Sequence, residues 1–88
     1  MKRAHVRVTG AVQGVFFRSE ARDRARSLGV SGWIRNAPDG SVRAVFEGDE
    51  EKVRSMVEWC RRGPSGARVD DVQVDWEEVH GESGFRIA

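Results

Sequence analysis

The segment Gly10-Ala11-Val12-Gln13-Gly14-Val15-Phe16-Phe17-Arg18 holds the residues best suited to chemistry in this 88-residue chain. Two glycines join a stretch of alternating apolar residues to one of helical spacing, and an arginine stands at the exit. A glycine turn lets several backbone N–H groups converge on one point, and a helix N-terminus just beyond adds partial positive charge. Arginine contributes a planar fork of donors that matches phosphate or carboxylate. These residues in this order describe a small anion site, with phosphate as the favoured anion. A second candidate is Asn36, the sole asparagine, in Gly32-Trp33-Ile34-Arg35-Asn36 before Pro38-Asp39-Gly40. Taken alone it reads as a turn residue, because asparagine tolerates turn geometry. Arg18 alone likewise reads as solvated surface, one of thirteen arginines.

Other phosphate chemistries fail on spacing. A Walker A loop beginning at Gly10 would need Gly-Lys where Val15 and Phe16 stand. A Cys-x5-Arg phosphatase loop at Cys60 would need arginine where Gly66 stands, and Cys60 falls on an apolar helical stripe that reads as buried core. Asp70-Asp71 lacks the alternation of an aspartyl-phosphate site. His5 and His80 have no metal-ligand spacing to another His or Cys, so metal catalysis is not expected.

The elements that must position these residues follow from periodicity. Ala4, Val6 and Val8 alternate with polar residues as a half-buried strand. From Phe17, Ala21, Ala25 and Leu28 recur at helical spacing, and Gly29 offers a left-handed C-terminal cap with Val30 packing back. Trp33 and Ile34 lie in a second strand, the Pro-Asp-Gly turn follows, and Val42, Ala44 and Phe46 mark a third. Asp49 is placed to cap a second helix with the stripe Val53, Met56, Val57 and Cys60; Arg61 and Arg62 fall in its last turn, and Gly63-Pro64 stops it. Val72, Val74 and Trp76 alternate in a fourth strand, and Phe85-Arg86-Ile87 closes the chain. The order βαββαβ, with a short final strand, predicts an α+β split βαβ sandwich: a mostly antiparallel sheet with both helices on one face and the polar alternate positions on the other. Trp33 is expected in the core, as large aromatics in small domains usually are.

Composition narrows the partners. Lys and Arg number 15 against 14 Asp and Glu, so a net charge of +1 gives no electrostatic reason to expect nucleic acid or a membrane surface. No apolar run approaches the roughly 20 residues of a membrane span, and no signal-peptide pattern opens the chain. With Cys60 alone, no internal disulfide forms and a reducing cytoplasm fits. The expectation is one domain over residues 1–88, working as a monomer.

Gly10-x-Val-Gln-Gly-Val-x-Phe-Arg18, followed by Gly32-Trp-x-Arg-Asn-x-x-Asp-Gly-x-Val42, closely resembles the acylphosphatase family. Gly63-Pro64, Ala67-x-Val69 and Phe85-x-Ile87 extend the resemblance over essentially the whole chain. It implies a ferredoxin-like fold that hydrolyses small acyl phosphates to a carboxylate and inorganic phosphate, the latter also an inhibitor, without metal or cofactor. By the same resemblance, Arg18 binds the phosphate, the backbone amides of the loop Gln13, Gly14, Val15, Phe16, Phe17 and Arg18 cradle the phosphoryl oxygens, and Asn36 positions the attacking water. One departure is Ala37, where many relatives carry a hydroxyl residue.

Chemistry agrees with what the resemblance implies. The leaving carboxylate has a parent acid of pKa about 4 and departs as an anion, so no general acid is demanded. Positioning and charge stabilisation then suffice in kind. An asparagine amide can accept a hydrogen from water while its NH2 donates to the phosphate. Gln13 reads either as a loop brace or as a ligand contact, and Phe16 and Phe17 as packing residues ahead of acyl-group recognition. A non-catalytic module on the same fold that binds phosphate or an acidic ligand is the main alternative. RNA binding on this topology lacks its aromatic pattern at Val42-Arg43-Ala44-Val45-Phe46. A role within a larger carbamoyl-phosphate maturation enzyme would need further domains.

Overall fold

Alternating small and β-branched residues build the first strand, an interior strand of the sheet. In the computed structural model, which describes residues 1–88, β1 runs Lys2–Ala11 with Ala4, Val6 and Val8 all fully buried. It is followed by α1 (Phe17–Leu28), β2 (Ser31–Asn36), β3 (Val42–Gly48), α2 (Glu50–Cys60), β4 (Arg68–Glu77) and β5 (Phe85–Ile87). The strands form one sheet in the order β4-β1-β3-β2-β5, antiparallel except for the parallel β2–β5 pair. The split βαβ arrangement read from the sequence is therefore the fold observed.

Register sets which residues meet the helices. Val72, Val8, Val42 and Asn36 lie opposite one another across β4, β1, β3 and β2, as do Val74, Val6, Ala44 and Ile34. Directly opposed residues share a face, so these rows line the helix side. Against them α1 sets Phe17, Ala21 and Ala25, and α2 sets Val53, Met56, Val57 and Cys60. Phe17 reaches Trp59 of α2 with ring centroids 5.1 Å apart. Removal of each such large apolar side chain from water contributes on the order of 2 kcal/mol. Gly29 closes α1 with φ 71°; its N–H donates to Arg26 O and that of buried Val30 to Ala25 O, the paired bonds of a Schellman cap. No helix is long and apolar enough to cross a membrane.

Four expectations need correction. Asp49 does precede α2, with φ −56° and ψ 134°, but its carboxylate caps no N–H. The second helix ends at Cys60, so Arg61 and Arg62 lie in the turn beyond it, where the Gly63 N–H donates to Trp59 O at 2.7 Å. Trp33 lies on the face away from the helices: it is paired with Val45, which is paired in turn with His5. The two rings lean together over Val45, 5.8 Å apart and edge to face, which leaves that valine fully buried.

Nor is the far face uniformly wet. The connection from β4 to β5 passes over one end of it, where the Glu47 carboxylate accepts the N–H groups of His80, Gly81 and Glu82 at 2.9, 2.8 and 2.8 Å. Arg3 pairs there with Glu47, Glu77 and Glu82 at 3.0–3.1 Å. Burial would raise Glu47's carboxyl, but the N–H donors and Arg3 outweigh it and hold the group below the ordinary carboxylate value.

Candidate active site

Six residues of the segment between β1 and the first turn of α1 meet the end of β5 around one cleft. It measures about 340 Å³ and is lined by Val12, Gly14, Phe16, Phe17, Arg18, Ser19 and Ile87. Gly14 takes φ 74° in open space, the left-handed geometry that glycine enters freely. Phe16 follows at φ 65°, uncommon for a residue with a side chain, and occupies the N-cap position of α1 without capping it. The chain therefore enters the helix with its first amides turned outward. No backbone N–H from Gly14 to Ser19 donates a hydrogen bond within the protein; the first helical bond runs from Glu20 N–H to Phe16 O at 3.1 Å.

Arg18 sits where a helix least tolerates positive charge. Residues in a first turn meet the positive end of the macrodipole, so a cation there costs roughly 0.3–1 kcal/mol. Arg22 pairs with Asp23, Arg54 with Glu50 and Arg61, just past α2, with Glu58, while Arg24 lies over the Trp59 ring and Arg26 donates to Phe85 O; Arg18 is outside all of these contacts. Half-buried in the cleft wall, its guanidinium adds to the field of the unpaired amides rather than being neutralised. Such a local conflict with helix stability is the kind that marks a binding site.

Gln13 does not line the cleft. Its Nε2 donates to Ala37 O at 2.8 Å and Ser41 O at 3.0 Å, so its amide braces the loop against the β2–β3 turn. Of the two readings left open by the sequence, the brace describes its side chain. The turn is rigid in its own right. Ala37 N–H donates to Ser41 O at 2.8 Å, and Asp39 Oδ1 accepts from Ser41 N–H and Oγ at 3.0 and 2.6 Å. The Ser41 hydroxyl and N–H, with the Arg7 guanidinium, hold Asp39's carboxyl well below the usual range.

Asn36 is the last residue of β2, directly opposite Val42, on the helix side of the sheet. Its φ is not positive, so it does not use the left-handed conformation for which turns select asparagine. Its Oδ1 is buried and receives no hydrogen bond. Asn36 is not a wall of the Arg18 cleft; the Gln13 bridge to the adjoining turn links the two. Val15 packs against the core, and Phe17 is core as expected. Phe16 corrects the packing expectation: the left-handed turn throws its ring outward, 78% exposed at the mouth of the cleft. Ser19 and Ile87 are wall residues missed in the sequence. Ser19 was within reach of reasoning, one position beyond Arg18 on the same turn; Ile87 needed the parallel pairing with Ile34. No group of three or more His, Cys, Asp or Glu is arranged to hold a metal ion.

The family profile described as acylphosphatase matches residues 4–87. The chain belongs to the acylphosphatase family. An acylphosphatase of Pelotomaculum thermopropionicum is 61% identical over 87 residues, spanning 98% of this chain and 95% of that protein. The crystal structure of acylphosphatase from Bacillus subtilis superposes with TM-score 0.95 at 32% identity, covering 100% of this chain and 99% of its own. The same architecture recurs in full-length HypF, solved in a phosphate- and nucleotide-bound form, with TM-score 0.91 at 25% identity. There 99% of this chain matches 12% of the larger one. Family and fold together support acyl phosphate hydrolysis.

Proposed function

We propose that this member of the acylphosphatase family cleaves the carboxyl–phosphate bond of small acyl phosphates by holding the phosphoryl group on the Gly14–Ser19 amides and Arg18. The observation that carries this reading is the run of unpaired N–H groups beside an unpaired arginine at one cleft. Fixed donors of this kind stabilise the charge on a transferring phosphoryl group without reorganising during reaction. Asn36, joined to the loop through the Gln13 brace and with its Oδ1 lacking a donor within the protein, accepts a hydrogen from the attacking water once substrate draws that water in beside it. Water oxygen bonds to phosphorus, the bond from phosphorus to the carboxyl oxygen breaks, and the bonding pair leaves with the carboxylate. The water's proton passes to the phosphate product or to solvent. The leaving acid has a pKa of about 4, so neither a general acid nor a metal ion is required. All the named groups come from residues 12–36 of one chain, consistent with one domain acting as a monomer.

The test is hydrolysis of benzoyl phosphate in the presence of a chelator, with Arg18→Gln alongside. The expected result is turnover by the native protein, with both turnover and inhibition by inorganic phosphate weakened at least about tenfold in the variant. Phosphate binding without turnover would identify a binding module instead. An unchanged inhibition constant in Arg18→Gln would show that the anion sits elsewhere.

A further inference from the structure

On the face of the sheet away from the helices, Arg7, Arg43 and Arg35 stand directly opposite one another on β1, β3 and β2. Strands lie about 4.8 Å apart, so the row extends about 10 Å. Like charges placed directly opposite are destabilising, and sheets ordinarily interleave them with acids. Here one carboxylate serves the row: Asp39 meets Arg7 at 3.0 Å. Arg35 rests over the Trp33 ring at 5.6 Å, and Arg43 between them has no acidic partner.

A hollow of about 260 Å³ opens beside this row, lined by His5, Arg7, Arg43, Gln73 and Asp75. The Nε atoms of Arg7 and Arg43 are buried there without an acceptor, and His5 Nε2 also lacks a partner. Buried guanidinium donors left unpaired cost free energy, and native structures rarely leave two of them side by side. Three cations stand here against two carboxylates: Asp39, which pairs with Arg7, and Asp75, which lines the hollow without pairing to any of them.

We propose that the Arg7–Arg43–Arg35 row is a second anion site, on the opposite face from the Arg18 cleft, and that it takes a compact linear oligophosphate. A line of three cations calls for a line of acceptor groups, which one phosphate does not present. A long nucleic-acid strand is disfavoured by Asp75 on one side of the row and by the Glu47, Glu77 and Glu82 cluster at the far end of the same face. The overall charge of +1 adds no long-range attraction for such a polymer. An oligophosphate fits between these limits, with its oxygens facing the half-buried Arg7 and Arg43 and the exposed Arg35.

The experiment is a titration of the native chain with inorganic tripolyphosphate at about 0.15 M ionic strength. It is followed by backbone and arginine side-chain NMR in the native protein, Arg43→Gln, Arg35→Gln and Arg18→Gln. The expected result is saturable shifts along β1, β3 and β2 at Arg7, Arg43 and Arg35. Affinity there is unchanged by Arg18→Gln and weakened about tenfold or more by Arg43→Gln and by exposed, fold-neutral Arg35→Gln. Benzoyl phosphate turnover stays at the native level in both row variants. Shifts confined to residues 12–19, loss of binding in Arg18→Gln, or no saturable binding at the row would overturn the proposal. So would a single-stranded RNA oligonucleotide that binds the row more tightly than tripolyphosphate.

Discussion

Replacing Asn36 with alanine separates the two roles that its sequence position allows, because they move stability and turnover in opposite directions. A buried acceptor with no donor costs about 1–3 kcal/mol relative to a satisfied or deleted one. Asn36 Oδ1 is in that condition, although the residue as a whole is half-buried, so the lower part of the range applies. Alanine removes the orphan atom and gives up a little packing at the end of β2. The net change expected is between zero and about 1 kcal/mol of added stability, a rise in Tm of up to roughly 4–8 °C for a domain of this size. Turnover should fall at least about 100-fold, since a mispositioned nucleophile costs that much, equivalent to about 2.7 kcal/mol in the barrier. Inhibition by inorganic phosphate should change little, because the amides and Arg18 are untouched. Calorimetry and steady-state hydrolysis of benzoyl phosphate on the same preparation give both numbers. A variant that loses about 1 kcal/mol or more of stability while keeping its kcat would refute the reasoning and restore Asn36 to a turn residue.

Four further outcomes are expected. Gln13→Ala cuts the two bonds that tie the loop to the β2–β3 turn, so kcat should drop at least about tenfold with the fold intact by circular dichroism. Glu47→Ala strands the N–H groups of His80, Gly81 and Glu82 while Arg3 keeps Glu77 and Glu82; a loss of about 3 kcal/mol, lowering Tm by roughly 12–24 °C in calorimetry, is expected. The Glu47 carboxyl is held below its ordinary value of 4.5, so its stabilisation is complete above that pH and fades as pH falls through the lower folded value. Glu47→Gln should accordingly flatten the acid limb of the stability curve, read from urea midpoints against pH. Burial pushes the Cys60 thiol up to about 12, so a thiol-disulfide reagent should leave the native protein unlabelled and react only once urea has unfolded it.

How far the sequence carried depended on the range of the interactions. Elements that declare themselves locally were legible: the period of Phe17, Ala21 and Ala25, the cap at Gly29, and the alternation in β1 and β3 all depend on neighbours a few residues away. The turn at Gly14 leading into α1 was legible because glycine and the following helix fix its geometry locally. The face taken by Trp33 was not, since Trp33 and Ile34 are adjacent apolar residues and pairing with β3 decides which turns inward. Gln13 acts as a brace through carbonyls 24 and 28 residues away, and Glu47 is buried by amides 33–35 residues downstream. The start of β4 at Arg68 was hidden because Arg68, Asp70 and Asp71 are exposed at an edge, where the register also shifts opposite Thr9 and Gly10. Such partners are fixed by topology, and composition near the residue carries no sign of them.

The bare start of α1 has a thermodynamic consequence. Most helices close their first turn with a side chain, whereas Phe16 offers none, so the turn from Phe17 to Glu20 begins without a cap. A phosphoryl group held there, as proposed, would serve as the missing cap, and by linkage its binding free energy would also be the free energy that suppresses fraying of that turn. Occupancy of the site and order in α1 are thus one equilibrium, observable through the hydrogen-exchange rates of the Phe17–Ser19 amides without any substrate being turned over.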